Sequence, residues 1–546
     1  MRIVLKCLLV ALASVFTACP AQEPVTVGKL EVKISGLPSG TNANVDVTGP
    51  ASFKQALTGT KTLTGLTAGS YTVSATNVPA GGKNYGASIT GSPAAVTAGG
   101  NSSVGVVYGA LRSITGKLIN GGGQPITAAS LSGPGATLSI KLLGGTASTT
   151  IDATGAFTLT DVPATYSLAV LVSVTSGRFA TVYQGLTRAN PTLTMFQGPG
   201  GLSDVPTQFN FASAQGKFTG GLGFNAASKA STVFTVAVPK AVRSDSFNSA
   251  SADATTGEYF ASISWLGGNP VTATIHTLQY TNDTNGKINA YGGYAQKTIN
   301  AVPNQTTPIN QDIALLPITT GNVKGSVAWP SGLTAPEYQV NTTLLLNGSS
   351  LERIDLYQSN GTPPTVSVAP TGYDQLVPLI TGAKWMQRAS INEKSVQGSF
   401  STRIESTVWK SLTPGTTTDI AVPVPIGLTS PNAAASEVTG STKFSWSNFV
   451  GGVHVLSFFA FPGSTGVQTT FTVVTAASST TIPDLSPYGF GVPKATIYLW
   501  SVLGVAPYSS LDAATDTNGL TVPYSAPLVD SSYSSSSSRS FTTAAK

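Results

Sequence analysis

Apolar and polar residues alternate one by one along much of this chain, in short runs. LEVKI at 30–34 puts Leu30, Val32 and Ile34 on one face and Glu31 and Lys33 on the other, the two-residue period of a half-buried strand. In LTGLTAGSYTVSA at 63–75, Gly69 ends a turn and Tyr71, Val73 and Ala75 then share a face. The chain holds 58 Gly and 34 Pro, and these punctuate the apolar runs as tight turns do. The pattern predicts an all-β protein. At 546 residues it is too long for one core.

The alternating runs repeat. Units open at Ile114-Thr-Gly116-Lys-Leu118, Ala214-Gln-Gly216-Lys-Phe218 and Val323-Lys-Gly325-Ser-Val327, so the glycines stand roughly 100 residues apart, the length of an immunoglobulin-like sandwich. Closing segments recur too, Asp312-Ile-Ala-Leu315 and Asp419-Ile-Ala-Val422. Inside the units, Asp152-Ala-Thr-Gly155-Ala-Phe157 is echoed one residue longer by Asp253 to Tyr259. An aspartate there caps a tight turn, glycine takes the positive φ, and the aromatic plugs the core.

That element, with Asp161-Val-Pro163 and Tyr166-Ser-Leu168-Ala-Val170 after it, resembles the carboxypeptidase regulatory-like domain. The resemblance is fullest over 111–195, thinner over 205–317, and confined to the two ends of 318–425. It implies a structural or adhesive module without catalysis. The stretch from Gly28 resembles the small sandwich domains of bacterial surface proteins. From Ser430 onward, Trp446 on an early strand and Tyr498-Leu-Trp500-Ser-Val502 on a later one resemble a fibronectin type III domain. The expected architecture is tandem β-sandwiches at 28–110, 111–200, 205–317, 318–425 and 426–546. The run SSYSSSSSRS at 531–540 is low in complexity and reads as a flexible loop or tail, with Phe541 opening a last edge strand.

The amino terminus carries the localisation signal. Arg2 and Lys6 precede an apolar run at 8–18, the plan of an export signal and too short to span a bilayer. Phe16-Thr17-Ala18-Cys19 resembles the bacterial lipobox, which implies cleavage before Cys19 and a diacylglyceryl group on its thiol. Residues 1–18 are then the signal peptide and 19–27 a tether. Each buried methylene contributes about 0.8 kcal/mol, so two or three acyl chains hold a folded body on a membrane. The alternative is an ordinary cut after Ala21, leaving a released protein.

Composition narrows the chemistry. Only 10% of residues are charged, and the basic ones are scattered, which argues against nucleic acid as a partner. Both cysteines, Cys7 and Cys19, lie in the first twenty residues, so the mature body has no disulfide and no thiolate metal site. The two histidines, His276 and His454, sit in strand-like runs without a nucleophile motif, and no G-x-S-x-G occurs. No cofactor and no metal are expected. Asp512, Asp516 and Asn518 beside Gly519, and Asn282, Asp283 and Asn285 beside Gly286, are the candidates for calcium, though each also reads as a plain turn. The six tryptophans are expected mostly in cores, with Trp329 and Trp385 the least core-like in context. Together these features predict a non-catalytic lipoprotein of the cell envelope, at the outer membrane or cell surface. It would meet membrane lipid through Cys19 and an envelope protein or surface polysaccharide through its body. The rival expectations are a carbohydrate-binding protein or accessory of a polysaccharide hydrolase, and a subunit of a surface-layer or outer-membrane assembly.

Overall fold

The computed structural model describes residues 27–545 except 122, 128–130, 132–134, 176, 197–208, 226–229, 240–247, 335, 348–352, 362–369, 398–399, 461–468, 523–526 and 528. The fold is all-β, and the α-helix among the described residues is the single turn Leu511–Ala514. The chain divides into two compact units, 1–112 and 113–546.

The first unit is a sandwich. Its strand Val27–Ser35 lies between Lys61–Thr67, antiparallel, and Asn101–Ala110, parallel. The facing sheet runs Phe53–Leu57, Val45–Gly49, Gly69–Ala75, Ala94–Val96. Leu30 and Val32 from one sheet meet Tyr71 and Val73 from the other, with Val104, Val106 and Tyr108, as the alternation predicted. The Tyr108 hydroxyl donates to the Asn44 carbonyl at 3.0 Å, so the buried ring keeps its polar tip satisfied.

In the larger unit the repeated glycines have one shared cause. Each lies where the opening strand of a sandwich meets its parallel closing segment. A methyl group on Gly116 would stand 2.6 Å from the Pro191 carbonyl and 2.2 Å from the Phe157 ring. On Gly216 it would stand 2.2 Å from the Gln311 carbonyl, and on Gly325 1.9 Å from that of Thr418. The repeated aromatics and aspartates converge on the same places. Tyr259 donates to the Gln311 carbonyl at 2.6 Å and Tyr373 to that of Thr418 at 2.5 Å. Asp312 accepts the Lys217 N–H at 2.8 Å and Asp419 the Ser326 N–H at 2.9 Å. The recurring letters therefore mark one packing device.

Three of the stretches expected as sandwiches, 111–200, 318–425 and 426–546, contribute strands to one 14-stranded sheet. It starts at Ser148–Thr149 and passes through Thr137–Leu142, Tyr166–Val174 and Gly177–Leu186 of the 111–200 sandwich. It continues through Thr469–Thr475, Val453–Ala460, Ile497–Ala506 and Ser531–Ser535 of the last sandwich. It then runs into Phe400–Leu412, Lys384–Gln397, Glu337–Leu345 and Arg353–Gly361 of the 318–425 sandwich. The last segment in sequence is thus the middle one in space. The 205–317 sandwich has two sheets of its own, and its Leu278 enters the core of the 318–425 sandwich.

Where the 111–200 and final sandwiches meet, the shared sheet is the middle of three layers. Gly177–Leu186 pairs in parallel with Thr469–Thr475, from Arg178 opposite Thr469 to Tyr183 opposite Val474. On one face Leu168, Val170, Tyr183, Val455 and Val474 pack on Ile114, Leu118, Phe157 and Leu193. On the other, Leu171, Val182, Leu456 and Phe458 pack on Phe444 and Trp446. Each fully buried apolar side chain contributes about 1.5–3 kcal/mol.

The serine run is a correction to the expected flexible tail. Ser531–Ser535 is a strand paired on both sides, with Ile497–Ala506 and with Phe400–Leu412. The expected strand after it is present as Arg539–Thr543, with Phe541 buried opposite Tyr498. It too has a second neighbour, Ala435–Val438.

Candidate functional site

The residues singled out for chemistry prove to be spread over the fold. Cys19 lies outside the described residues. Asp512, a calcium candidate, stands in the first turn of Leu511–Ala514, where Ser510 caps the helix. Its carboxylate accepts the Thr187 N–H at 2.8 Å, the Arg188 N–H at 3.0 Å and the Thr187 hydroxyl. The Arg188 guanidinium returns a bond to the Asp512 carbonyl at 3.0 Å. Burial works to raise this carboxyl, but the Thr187 and Arg188 hydrogen bonds and the Arg188 charge outweigh it and hold it below the ordinary value. Asp512 therefore clamps the final sandwich to the 111–200 sandwich.

Asp516 and Asn518 do turn work nearby. The Asp516 carboxylate accepts the Asn518 N–H at 3.1 Å, and Gly519, at φ +66°, tucks the turn against Thr194. The other oxygen-rich segment is a turn too, with Asp283 accepting the N–H groups of Asn285 and Lys287, each at 2.9 Å. Among the described residues, no three His, Cys, Asp or Glu side chains gather in a group that could hold a metal ion.

Both histidines are fully buried. His276 Nδ1 meets the Tyr294 hydroxyl at 2.8 Å. His454 Nε2 accepts the Phe449 N–H at 3.0 Å, which places its ring proton on Nδ1. Burial pushes His454 down to about 4, partly opposed by the backbone at Ala477 and Thr475. All six indoles are buried, including Trp329 and Trp385, and the Trp329 N–H donates to Thr371 at 2.8 Å. Sugar stacking on tryptophan thus loses its footing. Phe211 and Phe260, 60% and 57% exposed, stand instead on the outer face of the Phe209–Gly220 and Glu258–Leu266 pair. A small cavity between the 205–317 and 318–425 stretches is lined by Lys287, Ile288, Tyr291, Thr342, Gln375 and apolar neighbours.

A polar network gathers on the serine strand that the composition marked as a tail. Tyr533, buried in the serine strand, donates to Glu405 at 2.7 Å. Glu405 also accepts from Thr407 at 3.1 Å and pairs with Arg388 at 3.4 Å, and Arg388 lies over the Trp409 ring. At the start of the strand Asp530 meets Lys410 at 2.5 Å and the Ser411 N–H at 2.7 Å. Ser534 accepts the Ile426 N–H at 3.1 Å, and Ser536 accepts that of Val502 at 2.9 Å. The small hydroxyls reach these backbone groups and satisfy them. A tyrosine within the serine run and an aspartate just before it were the available signal.

No family model matches the chain, and no curated protein matches it. Solved structures show low similarity. A leucine-rich repeat protein of Bacteroides thetaiotaomicron aligns over 40% of this chain at 11% identity and TM-score 0.14, and the chain spans only 26% of that protein. A streptococcal ancillary pilin aligns over 53% of this chain and 99% of its own length, at 10% identity and TM-score 0.17. The full-length RrgB pilus protein of Streptococcus pneumoniae aligns over 81% of this chain and 76% of its own, at 10% identity and TM-score 0.13.

Proposed function

We propose that this chain is a non-catalytic structural or adhesive protein of the bacterial envelope, exported and held to a membrane by lipid on Cys19. The observation that carries the reading is the welding of sandwiches into one sheet, closed by the chain's own last strands. A body of that kind transmits load and presents surface, and its distinctive side chains serve the same end. Asp512 and Tyr533 fasten seams, and the indoles and imidazoles fill interiors. The partner at its surface is another envelope protein or a surface polysaccharide.

The test is mass spectrometry of the mature N-terminal peptide from the membrane fraction, with Cys19→Ser alongside. The reading expects a peptide that begins at Cys19 and carries a diacylglyceryl mass, and a Cys19→Ser chain lost from that fraction. An unmodified peptide starting at Gln22 or beyond would contradict the anchor.

A further inference from the structure

At the joint between the 205–317 and 318–425 sandwiches, Lys287 and Tyr291 from one side and Thr342 and Gln375 from the other line a cavity of about 10 Å³. That is room for the centre of one water molecule. The side chains of Thr342, Gln375 and Gln387 are all at least nine-tenths buried. The Thr342 hydroxyl is within hydrogen-bond reach of both glutamines, touching the Gln375 Oε1 and lying 2.8 Å from that of Gln387. Neither glutamine Nε2 has a hydrogen-bond partner.

One hydroxyl carries one proton, so it donates to only one of the two amides. The other amide must turn its N–H₂ toward the threonine oxygen. If Gln387 turns, the chain runs from Gln387 through Thr342 to Gln375 and leaves the Gln375 N–H₂ over. If Gln375 turns, its carbonyl is left over. Either way Gln375, which lines the cavity, keeps one buried polar group without a protein partner, at a cost of about 1–3 kcal/mol if it stays so. A cation would suit only the carbonyl and an anion only the amide. Water donates and accepts, so it suits both. Tyr291, whose own proton goes to the Leu376 carbonyl at 3.0 Å, keeps a lone pair to offer from the other sandwich.

We infer that a single ordered water is bound in this cavity, completing the hydrogen bonds of Gln375 and bridging the two sandwiches. The inference does not depend on what the protein meets at the cell surface. It is tested on the full chain by water ¹⁷O relaxation dispersion, which counts long-lived internal waters. Gln375→Leu removes the orphaned group and fills the space, and is expected to lower the count by one, while Gln375→Glu keeps it. An unchanged count in folded Gln375→Leu would overturn the proposal. Should that variant not fold, the wild-type chain labelled with ¹⁵N-glutamine gives the answer. Cross-relaxation from a long-lived water to the Gln375 side-chain amide is expected, and its absence would overturn the site.

Discussion

Two seams run through the 14-stranded sheet, and they are built from opposite materials. The seam between Gly177–Leu186 and Thr469–Thr475 is apolar on both faces, with a separate core above and below the strands. The seam at Ser531–Ser535 is made of hydroxyls, with Tyr533 and Asp530 as its distinctive contacts. The first resists separation because burying area on both faces is worth far more than any single contact. The second contributes less energy and more register. Serines at 531, 532, 534 and 535 are interchangeable, and a slip by two residues keeps every side chain on its face. Only the ring at 533 and the carboxylate at 530 oppose such a slip.

The comparison can be broken at its stronger side first. Leu171→Ala opens a cavity on the face of the 111–200 strands that packs against the final sandwich. It is expected to cost about 2–5 kcal/mol. Calorimetry should show one shared transition moving down, and an unshifted transition for the final sandwich would show that the seam does not couple the two. Acid attacks the same body through His454. The unfolded imidazole titrates at its ordinary 6.5 and the folded one at about 4, so between those values the unfolded chain binds more protons. Stability is therefore intact above the upper value and falls as pH drops to the lower one, by about 3 kcal/mol in total. Urea unfolding across that range should lose this component in His454→Asn.

The serine seam should respond more gently. Tyr533→Phe removes the donor to Glu405 and keeps the ring, for an expected loss of about 1–2 kcal/mol. Tyr533→Ala, which removes the ring as well, should also loosen the register, seen as a second set of amide signals from 531–535. The smallest change is expected from Asp512→Asn, which keeps an acceptor for Thr187 and Arg188 and removes the charge. Partly exposed, that clamp should lose less than about 1 kcal/mol, and salt should shrink the difference further.

What the sequence could carry divides along the same line. Alternation in LEVKI and GSYTV identified the residues now buried in the first sandwich, because a strand with one wet face must alternate. The repeated glycines, aromatics and aspartates were legible as repeats, and the structure supplies the close backbone approach that requires them. The shared sheet was not legible. Its strands join segments hundreds of residues apart, and burial says nothing about which neighbour does the burying. Yet YSLAVLVSV at 166–174 and VHVLSFFA at 453–460 barely alternate, the mark of a strand covered on both faces. Asp512 looked like a calcium ligand because a clamp and a metal site draw on the same carboxylate chemistry. The serine run looked like a tail because its composition is that of a tail. Its order comes from the two strands that pair with it on either side.

Hydrogen exchange at the amides of 531–535 tests the welded body most directly. If the serine strand closes the sheet, those amides exchange as slowly as their partners in 405–409 and 503–506. Exchange at the rate of an open chain would contradict the shared sheet and return the segment to a free tail.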